Sequence, residues 1–158
     1  MKTLIIFDSF FGNTEQIAQA IGNALGVLPD VQVTRITDVN QADLGDVDLL
    51  IVGSPTRAFR PTQAITEFLN NIPTNALKGL RVAAFDTRIA LSDIEKPILR
   101  TMVKVGGYAA KPIADLLRKK GAILAVAPEG FYVRGEKGPL KEGELPRAAK
   151  WAASCVEK

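Results

Sequence analysis

The 158-residue chain has no histidine and a single cysteine, Cys155. The lack of histidine excludes Ser-His-Asp and Cys-His catalysis and most zinc sites. A lone cysteine allows neither a disulfide framework nor a thiolate metal cluster. No run of about 18 apolar residues occurs, so no membrane insertion is expected. The first residues enter an apolar run at once and lack the basic, apolar and small-residue layout of a secretory signal, which makes the cytoplasm the expected location. Cations are missing locally as well: no Lys or Arg lies between Lys2 and Arg35. Elsewhere they are in slight excess, with a net charge of +3 and a pI of about 9.1. Arg118, Lys119 and Lys120, with Lys111 nearby, form the densest basic cluster. No aromatic interleaving or nucleic-acid motif accompanies it, so it reads as a solvated helix end, where cations suit the helix dipole, and no nucleic-acid partner is expected.

Against these absences stands one informative stretch, Lys2 to Thr14. Leu4, Ile5, Ile6 and Phe7 form a buried strand that Asp8 ends, and Ser9-Phe10-Phe11-Gly12-Asn13-Thr14 follows. Ile17, Ala18, Ile21 and Leu25 then share one helix face. A strand that stops at a small polar loop and turns into a helix leaves backbone N–H groups unpaired. With the positive end of the helix dipole they make a site for an anion. Ser9, Asn13 and Thr14 add neutral donors, and Gly12 allows a close approach. A Walker-type loop is excluded, because it needs a Lys after its last Gly. The alternative is an ordinary capped turn with Asn13 or Thr14 as N-cap.

Further along, Val31 to Ile36 alternates apolar and polar residues, as an outer strand with one wetter face would. Val47–Gly53 reads as a strand buried on both faces. Ser54–Thr62 is a second loop, Ile65, Phe68 and Leu69 mark a helix, and Leu80–Phe85 is a fourth strand followed by a third loop, Asp86–Ile89. Ser92 to Glu95 has capping-box spacing ahead of a short helix near Asp93–Val105. A longer helix is expected near Tyr108–Lys120. A fifth strand covers Ala122–Ala127 and Phe131–Val133, interrupted at Pro128-Glu129-Gly130, and a last helix covers Glu144–Glu157. Strands alternating with helices predict a doubly wound α/β fold: one domain over residues 1–158, with a five-stranded parallel sheet covered on both faces. In the order 2-1-3-4-5, a ligand belongs at the switch point between strands one and three.

Three loops carry a family resemblance. Ser9-Phe10-Phe11-Gly12-Asn13-Thr14 resembles the phosphate loop of the flavodoxins, a hydroxyl residue followed by Gly-Asn-Thr. Gly53-Ser54-Pro55-Thr56 resembles the loop that this family lays against its flavin. Gly138 to Leu145, with Ala149-Lys150-Trp151-Ala152, is similar to its closing loop and last helix. The resemblance covers essentially the whole chain and points to the short-chain form. It implies an FMN cofactor whose phosphate meets Ser9, Phe10, Phe11, Gly12, Asn13 and Thr14. The flavin ring would lie between Pro55, Thr56, Arg57, Ala58 and Phe59 on one side and Asp86, Thr87, Arg88 and Ile89 on the other. Phe59 is the expected ring contact, since flat aromatic systems stack. No side chain need act as acid or base, and no metal is implied.

Three departures from the family pattern stand out. Phe11 replaces a usual hydroxyl donor. The chain is basic where the family's carriers are acidic, and Arg57, Arg60 and Arg88 fall on the ring side, where a guanidinium stabilises an anionic reduced flavin; pairing with Asp86, Asp93 or Glu95 is the alternative. The link Ala90–Gly107 is longer than usual and amphipathic, fit to lid the flavin or to meet another subunit. The resemblance implies an electron carrier between redox partner proteins, as monomer or homodimer. The alternatives are an NAD(P)H-dependent quinone or flavin reductase on the same fold, and a module that has lost FMN. A receiver-like signalling module needs an Asp after strand three and a Lys after strand five, where this chain has Gly53-Ser54 and Pro128-Glu129.

Overall fold

The computed structural model describes residues 1–157. Six strands and five helices follow in chain order: β1 Thr3–Phe7, α1 Asn13–Leu25, β2 Val31–Arg35, β3 Leu49–Pro55, α2 Gln63–Asn71, β4 Arg81–Ile89, α3 Pro97–Gly106, α4 Ala110–Lys119, β5 Ile123–Leu124, β6 Glu129–Val133 and α5 Glu144–Val156. The strands are parallel in the order β2-β1-β3-β4-β5, and β6 continues the outer track beyond β5 against β4. The expected five-track sheet is therefore present, with its last track in two segments.

Alternation along the central strands builds a core on each face. Leu4, Ile6, Leu50, Val52, Val82 and Ala84 point to one face and meet Ile65 and Leu69 of α2 and Ile113 and Leu117 of α4. Ile5, Phe7, Leu49, Ile51, Ala83 and Phe85 point to the other and meet Ile17 and Ile21 of α1 and Ala148, Trp151 and Ala152 of α5. On this second face Phe85, Phe131 and Trp151 pack edge-to-face, with centroids 6.0–6.1 Å apart. Gly53 is required there: a Cβ at this position would lie 2.0 Å from the Phe85 ring.

Four expectations change. The third loop, Asp86–Ile89, is the end of β4, because Ser54 and Pro55 of β3 and the whole of β6 pair with it; polar side chains there hide the strand pattern. For the same reason Glu129 and Gly130 lie within β6, and the break in the outer track falls at residues 125–128. Ser92–Glu95 forms no capping box: a single 3-10 turn covers Leu91–Asp93, and α3 starts at Pro97 after an N-cap, Lys96, with no side-chain cap. Tyr108 precedes α4, its hydroxyl bonded to the Ile89 carbonyl (3.1 Å).

Candidate cofactor site

The site lies at the carboxyl ends of β1, β3 and β4, where the sheet order reverses. The loop after β1 reaches α1 through Gly12, which takes φ +91° and so is the N-cap, leaving Asn13 and Thr14 inside the first turn. No side chain caps the helix. The capped-turn alternative with Asn13 or Thr14 as N-cap is thereby excluded. Ser9 N–H donates to Asp8 Oδ1 (2.9 Å) and Gly12 N–H to Ser9 Oγ (3.1 Å). Among the described residues, the N–H groups of Phe10, Phe11, Asn13 and Thr14 donate to no protein acceptor. Asn13 and Thr14 are nonetheless buried. Buried amides without partners are uncommon and call for an acceptor from outside the chain. Unpartnered N–H groups in the loop and at the helix start suit a phosphate, so the donor set fits the flavin phosphate that the resemblance implies.

Beside this loop runs a cleft of about 100 Å³, lined by Ser9, Phe10, Phe11, Asn13, Thr14, Pro55, Thr56, Arg57, Thr87, Arg88, Ile89, Val133 and Glu136. Its floor is the end of β4. Alternation there sends Thr87 towards α1, its hydroxyl 2.8 Å from that of Thr14, and sends Asp86 and Arg88 towards α4. Thr56 and Ile89 also line a second hollow of about 260 Å³, closed by Ala58, Phe59, Ile94, Leu99, Val103, Gly107 and Tyr108. The residues singled out in the sequence therefore divide. Most line the cleft; Ala58 and Phe59 line the hollow; Gly12 shapes the loop without lining either; and Asp86 is fully buried behind them. Val133 and Glu136 carried no motif, and only the pairing of β6 with β4 brings them in; the α3 residues of the hollow, Leu99 and Val103, belong to the amphipathic link Ala90–Gly107.

Arg88 is the most constrained group. Its Nε and Nη2 each donate to Asp86 at 2.7 Å, and its Cζ lies 3.9 Å from the centroid of Tyr108. Asp86 also accepts from Ala110 N–H (2.8 Å). Burial raises the Asp86 pKa above the usual carboxylate value, against the pull of Arg88. Burial works to lower the Arg88 pKa, yet the contact with Asp86 outweighs it and holds the pKa above the ordinary value. Of the three ring-side arginines, Arg88 thus takes the pairing alternative.

Arg57 behaves differently. Its guanidinium lies over the rings of Phe10 (5.1 Å) and Phe11 (6.0 Å) and reaches Glu136 at 3.4 Å. Its backbone pairs with Arg60 in both directions (2.8 and 3.0 Å), closing a tight turn whose central residues, Ala58 and Phe59, take φ +47° and +71°. No group of three or more His, Cys, Asp or Glu that could hold a metal occurs among the described residues.

Comparison with known proteins agrees with this geometry. The family model for the flavodoxin domain matches residues 4–124. A flavodoxin of Maridesulfovibrio salexigens is 32% identical over 89 residues, 53% of this chain and 61% of that protein, so the chain matches less than two thirds of its length. Among solved structures, a flavodoxin from the domain Archaea aligns with a TM-score of 0.76 at 22% identity, covering 99% of this chain and 96% of that one. Oxidised flavodoxin 1 of Bacillus cereus aligns with 0.76 at 18% identity, covering 99% and 97%. The rubredoxin oxygen:oxidoreductase of Desulfovibrio gigas aligns with 0.66 at 17% identity over 98% of this chain but 35% of its own. With the family model spanning most of the chain and the sheet in the expected order, the protein belongs to the flavodoxin family, whose cofactor is FMN.

Proposed function

We propose that the chain works as an FMN-loaded electron carrier between redox partner proteins. The observation that carries this reading is the set of unpartnered N–H groups of Phe10, Phe11, Asn13 and Thr14, before and at the start of α1. In this reading those amides, with the hydroxyl of Thr14 and the amide of Asn13, hold the phosphate. Pro55, Thr56, Thr87 and Ile89 line the way from the phosphate to the ring. The apolar hollow beside Phe59 and Tyr108, covered by α3, receives the flat ring and keeps water from it. When bound, the flavin supplies the electron chemistry; the protein supplies binding, orientation and field. No helix is long and apolar enough to cross a membrane among the described residues, and the cytoplasm is the proposed location.

The test is fluorescence titration of the flavin-free protein with FMN, with the visible spectrum of the protein as purified. A yellow protein that releases FMN on heating and rebinds it supports the reading. A colourless protein that takes up no added FMN defeats it and leaves a module that has lost its flavin. A second reading, an NAD(P)H-dependent quinone or flavin reductase, draws on the exposed Arg57 and Arg60 of the turn after β3, cations that suit a nicotinamide phosphate or an anionic acceptor. Sustained NAD(P)H oxidation by the pure holoprotein would favour it; no turnover with any acceptor, quinone or free flavin, would exclude it.

A further inference from the structure

The loop that cradles the phosphate contains no cation of its own, yet the fold brings three to it. Arg35, at the end of β2, donates to the Ser9 carbonyl (2.9 Å) and is already paired with Glu15 (3.2 Å). Arg57, from the turn after β3, lies over Phe10 and Phe11, and Lys137, from the loop after β6, stands 5.9 Å from the Phe11 ring. Arg57 lines the same cleft as Ser9, Asn13 and Thr14. Its side chain is 42% exposed, so it can swing without breaking any core contact. Its one charged partner, Glu136, is a 3.4 Å contact with a carboxylate that is 69% exposed and also lines the cleft. Such an exposed pair is weak and easily exchanged. A phosphate offers a guanidinium a better partner, with more charge and a geometry that suits its fork of donors.

We infer that Arg57 is the counter-charge for the flavin phosphate, compensating the donor lost at Phe11, and that Glu136 competes with the phosphate for it. The rings of Phe10 and Phe11 serve as the platform that keeps the guanidinium at the mouth of the cleft. Lys137 adds a second positive charge on the same side. This inference rests on the FMN reading, and it makes a distinction that reading does not: Arg57 and Glu136 act on the phosphate, with opposite sign, and not on the ring.

The experiment compares FMN with riboflavin, which has the same ring and no phosphate, on the flavin-free full chain. Arg57→Gln should weaken FMN by about tenfold or more, the loss of one charge-assisted hydrogen bond, while riboflavin changes by about twofold or less. Arg57→Lys should recover part of the loss. Glu136→Gln should tighten FMN and leave riboflavin unchanged. The salt dependence of FMN binding should be flatter in Arg57→Gln than in the unaltered protein. Circular dichroism confirms that each variant is folded. Equal weakening of both flavins by Arg57→Gln, or no weakening of FMN, overturns the inference while leaving the FMN reading in place. Failure of the unaltered protein to bind FMN overturns both.

Discussion

The guanidinium of Arg88 lies against the backbone of Gly130 on the neighbouring strand, so closely that a Cβ at Gly130 would come within 1.9 Å of Nε. Gly130 pairs with Asp86 in the ladder, and Tyr108 covers the opposite side of the guanidinium. The cation is thus held between a bare peptide and an aromatic ring, with Asp86 fixing its rotation. Gly130→Ala would push the guanidinium off Asp86 and leave a buried carboxyl without its partner. A loss of about 3–5 kcal/mol is expected, the cost of breaking a buried pair from one side. Urea unfolding measures it; a loss below about 1 kcal/mol, the range of ordinary surface changes, would mean that the pair does not depend on this glycine.

Acid sensitivity should trace largely to Glu144. Its carboxylate accepts from Tyr132 N–H (2.7 Å) and from Arg147 at 2.8 and 2.7 Å. Burial favours the neutral form, but Arg147 and the Tyr132 amide outweigh it, and the pKa is lowered from 4.5. A lowered carboxylate stabilises the fold above its unfolded pKa and loses that contribution as pH falls through the folded value. Glu144→Gln should cost about 2 kcal/mol at neutral pH. The gap from the unaltered protein should then narrow below pH 4.5. A pH-independent gap in chemical denaturation would reject the assignment.

Gly12→Ala isolates backbone strain, because an added Cβ there meets nothing within 4 Å while φ is +91°. The expected cost is about 1–2 kcal/mol, the usual left-handed penalty. Gly12→Asn should cost less, since Asn tolerates this region better. Thermal unfolding of the two variants supplies the comparison, and equal midpoints for Ala and Gly would show that the loop relaxes freely.

The turn Arg57–Arg60 offers the converse. Ala58 and Phe59 occupy central positions with positive φ, where Asn and Gly are the usual residues. Ala58→Gly should therefore stabilise the protein by about 1 kcal/mol. A destabilised Ala58→Gly variant, measured by the same melts, would show that the Ala58 methyl contributes more through packing in the hollow than it costs in strain.

Cys155 should be inert in the folded protein. It is fully buried on the inner face of α5, and burial pushes its pKa up to about 12. Thiolate is the reactive form. Alkylation by a maleimide should therefore follow the global unfolding transition in denaturant; modification under native conditions would reveal local opening of α5.

The doubly wound fold was readable because apolar runs at Leu4–Phe7 and Leu49–Val52 are short and unbroken, as strands buried on both faces must be. The loop before Thr14 was readable from Gly12 and its polar neighbours. The end of β4 was not, since Asp86, Thr87 and Arg88 look like loop residues. Their pairing was nevertheless implicit: if residues 86 to 89 are extended, Asp86 and Arg88 fall on one face, where a buried carboxylate needs the cation two residues on. Phe10, Phe11 and Arg57 belong to loops that the resemblance already brings to one cofactor, but Glu136, from a third loop, had no sequence signal. Phe59 lines a hollow whose far wall includes Leu99 and Val103 of α3, and where that helix packs is a matter of tertiary contacts that its own amphipathic pattern does not specify.

The alternation at the end of β4 also limits how this protein can change. Thr87 serves the α1 side and Arg88 the α4 side, from adjacent positions. Inserting or deleting one residue after Phe85 would exchange those duties, aiming a guanidinium at Thr14 and a hydroxyl at the space beside Tyr108. Side chains along this tip can vary, but its length cannot drift, and relatives should differ here by replacement rather than by gaps.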